Sequence, residues 1–492
     1  MKQMKWLKFL IAFLVPVAGV MVCNNSLDSD TWYVLAEGRE IVTNGIYYED
    51  QLSMHEGLEV TVQNYGFAAI FYLIYSVFGP VGIYIGMLLL NVLLCYLIYK
   101  VCMVVSNKNE NLSLLIMILT DLLLGRWFVV TRAQMVSYCI MMLLIYLLEL
   151  YIRTNKSKYL WWIPVLSLLQ INLHASLWPI IILIIGVYII DSFKSKKLHL
   201  QGYRTKPLLL VLAISFVVGF LNPYGFKMMT FILTSYGVPE AHDTIQELKP
   251  FAPFMDSTTM MYCATFSFVL ILYIFEGKKN MRMRWLLMIF GFLALALNTI
   301  KGLSQLILVL LFPLAAVYKD VWIEKWKTRK IRWMVLSWMG ILSLVMIITV
   351  TVAKMFDSAG FGKPPEYAVA ALDALDKDVG DIDKKTLKIY AGFDGGGYAI
   401  YRGYKTYMDS RMEVFLKANN GKEDIFVEWY DLQHNKIEKT DFLDKYNFDY
   451  LLLYDDDRLF DLDDVRYEEI YEDRNDDWEE IVRIYKRQKS DY

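Results

Sequence analysis

The feature that most constrains this sequence is a series of apolar runs, each close to the length that a bilayer requires. A membrane-spanning helix needs about 20 mainly apolar residues. Hydrophobic side chains make up 56% of the 492 residues, whereas soluble domains average roughly 45–50% apolar residues. The composition therefore excludes an ordinary soluble protein and predicts an all-α polytopic membrane body with about 11–13 membrane segments. The candidate segments are Phe9–Cys23 and residues 66–78, 81–105, 112–125, 135–152, 159–171, 173–190, 207–222, 259–275, 285–300, 303–318 and 333–353.

Charge divides the chain near residue 354. Residues 1–354 have a net charge of +11, and residues 355–492 have a net charge of −13. Regions of such different charge and hydropathy are expected to be separate domains in different solvents. The sequence predicts a membrane domain over 1–354 and a water-soluble domain over 355–492. An acidic soluble domain repels phosphate, which argues against a nucleic-acid partner and leaves the lipid bilayer as the first partner.

Basic residues predict the orientation in the membrane. Three lysines precede the first apolar run, and the loops 192–206, 276–284 and 319–332 are rich in lysine and arginine. Short basic loops stay in the cytoplasm. The last segment then delivers the acidic tail to the outside, and this requires an odd number of crossings. We therefore expect 112–125 not to cross, which leaves eleven crossings in a plasma-membrane protein with a cytoplasmic N-terminus and an extracytoplasmic C-terminal domain.

Two loops are expected on the outer face, and the tail is expected to fold as a small α/β domain. The first loop, 24–63, carries eight acidic residues and one arginine and has the apolar spacing of a surface helix; the second loop is 223–257. The tail shows a helical pattern from Pro364 to Leu375, and its acids between 455 and 480 are interpreted as a solvated face. Strand-like stretches cover 387–401, Asp449–Tyr454 and Ile481–Tyr485.

Asp28 and Asp30 directly follow the first apolar run. A carboxylate at the membrane boundary is suited to act as a general base. The alternative is that these acids only end the span and cap the next helix. The sequence leaves both interpretations open.

A second set of candidates is cationic or polar and lies beside apolar segments. Guanidinium groups bind phosphate in a bidentate manner and stay charged in apolar surroundings. The alternative for the arginines is interfacial anchoring, and for the lysine it is extension of the ammonium group to the membrane surface. The candidates are Arg126, Arg132, Gln134 and Lys301.

Asn172 and His174 interrupt an otherwise apolar stretch from Leu160 to Ile190. Polar residues within the membrane need a partner or a function. Either a functional role or a buried histidine paired with a neighbouring carboxylate explains them. In the tail, Asp409 and Arg411 are two residues apart on a predicted strand and are expected to face the same side. They form either an ion pair that docks the tail onto the outer loops or a contact with an acceptor glycan.

Several short motifs, taken in order, resemble those of one family. The first loop contains Asp28-Ser29-Asp30-Thr31-Trp32, Ala36-Glu37-Gly38-Arg39 and Asn44-Gly45. Arg132-Ala133-Gln134, Asn172-Leu173-His174-Ala175 and Asn222-Pro223-Tyr224-Gly225 follow, and the tail adds Gly396-Gly397-Tyr398 and Met408-Asp409-Ser410-Arg411-Met412-Glu413. This series resembles bacterial GT-C-type glycosyltransferases, in particular a poorly characterised branch with a C-terminal extracytoplasmic domain.

The resemblance implies transfer of a sugar from a polyprenyl-phosphate-linked donor to an extracytoplasmic glycan, lipid or protein acceptor. It assigns the base to Asp28 or Asp30 and the lipid phosphate to Arg126, Arg132 and Lys301, with Gln134 and Asn172 as further binding residues. His174 would orient the leaving group or donate a proton to it. No cofactor follows from the sequence, although a divalent metal stays open. The alternatives are a non-catalytic membrane component of cell-surface polysaccharide assembly and a transporter, although the sequence shows no internal repeat of the transporter type.

Overall fold

A computed structural model of the chain describes 14–17, 20, 27–125, 127–194, 200, 202–251, 256–276, 281–319, 345, 349, 366–474 and 480–488. The chain divides into two compact units. The first comprises Met1–Asn24, Tyr84–Met229 and His242–Ser358, and the second comprises Asn25–Ile83, Thr230–Ala241 and Ala359–Tyr492. Most of the first predicted span, residues 320–332 of the basic loop and most of the span 333–353 lie outside the described residues. The predicted domain boundary at 354 lies there too and stays a prediction.

The membrane body is helical, as the apolar runs predict. Within the described ranges, four helices are long and apolar enough to cross a bilayer: Tyr65–Val105, Gln134–Thr154, Ala175–Ser192 and Ser257–Glu276. Three apolar helices are shorter: Lys206–Val218, Met283–Asn298 and Gly302–Val317. The other helices of this part of the chain are Glu110–Gly125, Ser157–Trp162 and Ile163–Leu173. The total number of crossings stays a prediction, as does the interpretation of 112–125 as a segment that does not cross.

The longest helix contains the interruption that separates two predicted segments. Within Tyr65–Val105, Gly79 has a φ of +59°, and Pro80 follows it. A positive φ suits glycine because it lacks a Cβ atom, and proline cannot donate a backbone hydrogen bond. The change of direction therefore falls between the predicted segments 66–78 and 81–105.

A buried ionic cluster joins three helices of the first unit. Arg284 binds Glu149 through Nε at 2.7 Å and Asp191 through Nη1 at 2.9 Å. All three side chains are almost fully buried. Arg284, which the sequence places at the end of the basic stretch 276–284, lies instead in the helix Met283–Asn298 and faces acids on Gln134–Thr154 and Trp178–Ser192. The cytoplasmic location of the stretch stays a prediction. The hydropathy of the sequence around Arg284 does not indicate these distant partners.

The second unit contains the first loop and the tail. A helix covers Ser29–Asn44, as the apolar spacing predicts, and helices Phe226–Ser235 and Pro239–Thr244 occupy the second predicted loop. The tail combines helices with one four-stranded sheet, which confirms the predicted small α/β fold. Its helices are Glu366–Val379, Gly396–Tyr401, Lys417–Asn420, Ile425–Gln433 and Lys439–Tyr446.

The sheet has the strand order β1-β2-β4-β3, with β1 Ile389–Ala391, β2 Tyr450–Tyr454, β3 Tyr467–Arg474 and β4 Glu480–Arg487. The pair β1/β2 is parallel and the other two pairs are antiparallel. Strand β3 falls within the acidic stretch 455–480, which the sequence predicts to be a solvated face. Its glutamates Glu468 and Glu469 are exposed, because an edge strand can carry charges on its open side.

Two predictions for the tail are wrong. The stretch 387–401 is a short strand followed by the helix Gly396–Tyr401. Asp409 and Arg411 lie on no strand, because irregular backbone precedes the 3-10 helix Met412–Phe415. A direct ion pair between Asp409 and Arg411 brings the two side chains together instead.

The helix Gly396–Tyr401 packs closely on Ser29–Asn44. A Cβ atom added to Gly397 would lie 2.4 Å from Oγ of Ser29. The Ser29 hydroxyl is also 2.6 Å from the hydroxyl of Ser410. Gly397 therefore permits a close approach that links three of the motifs noted in the sequence.

Candidate functional site

A cavity of about 350 Å³ lies in the first unit. Two aromatic rings, two carboxylates and one ammonium group contribute to its lining, so the cavity offers apolar and charged surfaces together. The described residues that line it are Trp127, Phe128, Gln134, Gln246, Glu247, Asp256, Thr259, Ile300 and Lys301.

Glu247 joins two of the cations predicted from the sequence. Its Oε1 lies 2.6 Å from Nη1 of Arg132, and its Oε2 lies 3.0 Å from Nζ of Lys301. The side chains of Glu247 and Lys301 keep 41% and 40% of their surface exposed. The three charged groups therefore form a cluster that stays accessible at the cavity, which we call the Glu247 cluster.

The backbone fixes this arrangement. The amide of Lys301 donates to the carbonyl of Glu247 at 3.1 Å, and the amide of Ile300 donates to the carbonyl of Lys249 at 3.0 Å. The helix Gly302–Leu311 begins immediately afterwards. A Cβ atom on Gly302 would lie 2.6 Å from the backbone nitrogen of Ala296, so the chain turns here in a space that excludes larger side chains.

The electrostatics of the cluster keep Glu247 ionised. Partial burial raises the pKa of this carboxyl, but the charges of Arg132 and Lys301 outweigh that effect and lower the pKa to about 2. The carboxylate is thus charged throughout the physiological range. It partly neutralises the two cations, whose remaining surface can receive an anion from the cavity.

The other predicted phosphate ligands have different outcomes. Gln134 lines the cavity, and its Nε2 donates to the carbonyl of Phe128 at 3.4 Å. Arg126 lies outside the described residues. Arg132, Gln134 and Lys301 thus converge on one place, although Lys301 is far from the other two in the sequence.

His174 and Asn172 are held by polar neighbours. The ring nitrogens of His174 lie 2.8 Å from Oγ of Ser137 and 3.0 Å from Oγ of Ser176. Asn172 donates to the carbonyls of Leu168 at 2.7 Å and Leu221 at 3.1 Å. The sequence leaves open that this histidine pairs with a carboxylate. In the described contacts, its partners are instead these two hydroxyl groups. The binding role of Asn172 and the catalytic role of His174 at the leaving group stay predictions.

Asp28 is the N-cap of Ser29–Asn44. Its Oδ1 accepts hydrogen bonds from the backbone amide of Thr31 at 3.0 Å and from the Thr31 hydroxyl at 2.8 Å. Asp30 lies in the first turn of the same helix, where a negative charge is favourable. Both acids are only partly buried. The structure thus shows the capping role, and the role as a base stays a prediction.

Asp409 and Arg411 form part of a larger buried group in the second unit. Nη2 of Arg411 lies 2.8 Å from Asp409, and Nη1 lies 2.6 Å from Asp50 and 3.9 Å from Glu37. Burial raises the pKa of Glu37 well above its ordinary value, although Arg411 opposes this effect. Burial also raises the pKa of Asp50, but the charge and hydrogen bonds of Arg411 outweigh it and lower the pKa.

The sequence does not indicate that Glu37, Asp50 or Glu247 binds an arginine. Glu37 belongs to a motif of the first loop, and Asp50 and Glu247 are acids of the two predicted outer loops. Their spacing from the arginines they bind is too large for any local pattern to reveal. Across the described residues, no group of three or more His, Cys, Asp or Glu side chains has an arrangement that could hold a metal ion. The described residues thus give no ligand set for the divalent metal that the sequence left open.

Comparison with known proteins identifies the fold. No family model and no curated protein matches the chain. Among solved structures, the chain is similar to ArnT from Cupriavidus metallidurans bound to undecaprenyl phosphate, with a TM-score of 0.53, 11% identity and 98% of each chain covered. The chain has the ArnT fold. This confirms the GT-C-type fold predicted from the motif series, a helical membrane body followed by a small α/β domain.

Proposed function

We propose that this protein is a membrane glycosyltransferase that uses a polyprenyl-phosphate-linked sugar as its donor. The Glu247 cluster is the observation that carries the proposal. Arg132 and Lys301 were selected from the sequence as phosphate ligands, and both contact the same carboxylate at a cavity of about 350 Å³. The ArnT structure of the same fold contains undecaprenyl phosphate, which supports a lipid phosphate as the ligand.

In this proposal the two cations hold the phosphate of the donor. Their charge-assisted hydrogen bonds favour an anion, and the guanidinium adds planar, directional donors. Gln134 contributes a neutral donor at the same cavity. The rings of Trp127 and Phe128 offer apolar surface for a sugar face or for the first part of the lipid chain.

Asp28 or Asp30 serves as the base that removes a proton from the acceptor hydroxyl, and His174 assists the leaving group. The acceptor is a glycan, lipid or protein on the extracytoplasmic face. Transfer from a phosphodiester donor forms one glycosidic bond, breaks the bond between the sugar and the phosphate, and leaves a polyprenyl phosphate. The acceptor proton passes to the carboxylate, so the step needs no nucleotide.

Binding of undecaprenyl phosphate to the purified full-length chain in detergent tests the phosphate site. We expect Arg132→Gln and Lys301→Gln to weaken binding by about 10- to 100-fold each, because a hydrogen bond to a charged group contributes about 1.5–3 kcal/mol. Lys156→Gln is the matched control, since it removes an exposed cation of the same unit that does not line the cavity. Wild-type affinity in both cavity variants would refute the proposed site.

Activity is tested with membrane vesicles that contain a panel of radiolabelled polyprenyl-phosphate sugars. The expected result is transfer of label from the lipid fraction to a glycan or lipid acceptor, abolished in the Arg132→Gln/Lys301→Gln double variant. Lipid binding without any transfer would instead support the non-catalytic alternative.

A further inference from the structure

The Glu247 cluster also carries information about which lipid phosphate the site prefers. Two cations, Arg132 and Lys301, share the single carboxylate of Glu247. Asp256 adds a second carboxylate to the cavity lining, where its Oδ1 accepts the backbone amide of Thr259 at 2.7 Å. Within the described part of this site, the formal positive and negative charges are therefore equal in number.

The donor and the product of the proposed reaction differ in charge. A polyprenyl-phosphate sugar is a phosphodiester with one negative charge. The polyprenyl phosphate left after transfer is a monoester, and a monoester carries about −1.5 to −2 near pH 7 because its second pKa is near 6. Because Glu247 and Asp256 offset the charges of Arg132 and Lys301, the second negative charge of a monoester gains less attraction here than it would beside the two cations alone.

We propose that Glu247 is a specificity-determining residue that makes the cavity favour a singly charged phosphodiester lipid over the doubly charged monoester. This inference rests on the proposed function. Glu247 lies between the two cations and keeps 41% of its side-chain surface exposed, so its charge acts directly on an anion that binds there. The consequence for turnover is that the spent lipid phosphate is released more readily than it would be from a purely cationic site.

Other charged or titratable groups also face this place. His174 and Tyr138 interact electrostatically with Lys301. Both stay unchanged when only Glu247 is replaced, so their effects cancel when a Glu247 variant is compared with the wild type at one pH. The comparison therefore isolates the charge of the carboxylate.

The test measures equilibrium binding of two probes to the full-length chain in detergent at pH 5.5 and pH 8. The probes are undecaprenyl phosphate, a monoester, and its methyl ester, a diester with one charge at both pH values. For Glu247→Gln we expect monoester affinity at pH 8 to rise about tenfold over the wild type, because the second charge then meets unbalanced cations. The gain at pH 5.5, and for the diester at either pH, is expected to be about threefold or less.

Glu247→Asp is the control that keeps the charge, and it should retain the wild-type preference for the diester. Equal gains for both probes at both pH values would overturn the proposal, and so would loss of binding of both probes in Glu247→Gln. The latter result would show that the carboxylate only positions the cations. Failure of the wild type to bind either lipid would refute the proposed function itself, so the two failures are distinguishable.

Discussion

Arg411 and Asp50 are 361 residues apart in the sequence, yet Nη1 of Arg411 lies 2.6 Å from Oδ1 of Asp50. Both side chains are fully buried. The other two guanidinium nitrogens of Arg411 donate to Asp409, Nε at 2.9 Å and Nη2 at 2.8 Å. The amide of Ser53 completes the site by donating to Asp50 at 2.8 Å. The first loop and the tail thus share one buried charge group within the second unit.

Replacing Arg411 by alanine should destabilise the second unit strongly. Removal of one partner of a buried ion pair leaves uncompensated charges, which typically costs about 3–5 kcal/mol. We expect Arg411→Ala to expose the tail to limited proteolysis in the detergent-solubilised protein. Lys436→Ala is the control, because that lysine belongs to an ion pair with an exposed side chain. Unchanged protease resistance would contradict the docking role.

The exchange Asp409→Arg with Arg411→Asp should not restore stability. A simple two-residue pair would tolerate the exchange, but the new aspartate would face the carboxylate of Asp50. A glycan-contact role predicts a different pattern, in which Arg411→Ala raises the acceptor KM while protease resistance stays intact. Kinetic and protease assays on the same variant therefore separate the two hypotheses.

Stability of the second unit should depend on pH through Glu37. Its raised pKa means that the folded protein keeps this proton longer than the unfolded chain does. Its contribution is fully present below the ordinary value of 4.5 and is lost as the pH rises through the raised pKa of the folded state. Glu37→Gln cannot ionise, so we expect its Tm to exceed that of the wild type by a margin that widens from pH 4.5 to 8.

Thermal unfolding measured across this pH range checks the expectation. Asp50 has the opposite linkage, because its lowered pKa means that its contribution is lost as the pH falls. It is present in both proteins and does not affect the difference between them. A Tm difference that stays constant with pH would show that Glu37 remains ionised in the fold.

Much of the fold follows from local sequence signals. The apolar runs predicted the helices around Gln134–Thr154 and Ser257–Glu276, and the gap between the predicted segments 66–78 and 81–105 coincides with the interruption of Tyr65–Val105 at Gly79. Periodicity and special backbone residues act over a few positions, so a single sequence reveals them. The prediction of a strand at Asp409 is wrong because the backbone there is irregular. A local ion pair, and not the pairing of strands in a sheet, brings Asp409 and Arg411 together.

The candidate site was predictable only in part. The residue types of Arg132 and Lys301 indicated phosphate binding, but nothing in the spacing connected them. Glu247 is one of several acids in a long loop, and its position as the common partner of Arg132 and Lys301 depends on how distant segments of the chain pack together. Long-range charge pairing of this kind is a tertiary property, and neither hydropathy nor propensity encodes it.

The variant Asp28→Asn separates the capping role of Asp28 from its proposed catalytic role. Asparagine is about as good an N-cap as aspartate, so Asp28→Asn should leave Tm nearly unchanged while removing a general base. If Asp28 is the base, activity in a lipid-linked sugar assay should fall by about two to four orders of magnitude. Asp30→Asn is tested in parallel, because the sequence does not choose between the two acids. Full activity of both variants would exclude the base from this loop.

Topology is accessible to reporter fusions. The basic loops predict that a reporter after Lys354 is active outside the cytoplasm and that one within 192–206 is active inside. A cytoplasmic signal from the tail fusion would contradict the odd number of crossings and would place the acidic domain on the other face. Two fusions, one within 106–109 and one within 127–131, together test whether 112–125 leaves the membrane on the side from which it enters.

The close approach of Gly397 to Ser29 predicts a sharp difference between two glycine variants of the second unit. In Gly397→Ala the new methyl group would lie 2.4 Å from Oγ and 2.5 Å from the backbone oxygen of Ser29. Backbone cannot yield as a flexible side chain can, so we expect a loss of about 1–3 kcal/mol, typical of overpacking, measured as a lower Tm and faster proteolysis of the tail. At Gly237 the nearest atom would be 3.7 Å away, and Gly237→Ala should be nearly neutral. Equal stability of the two variants would mean that the helices Ser29–Asn44 and Gly396–Tyr401 do not pack as closely as described.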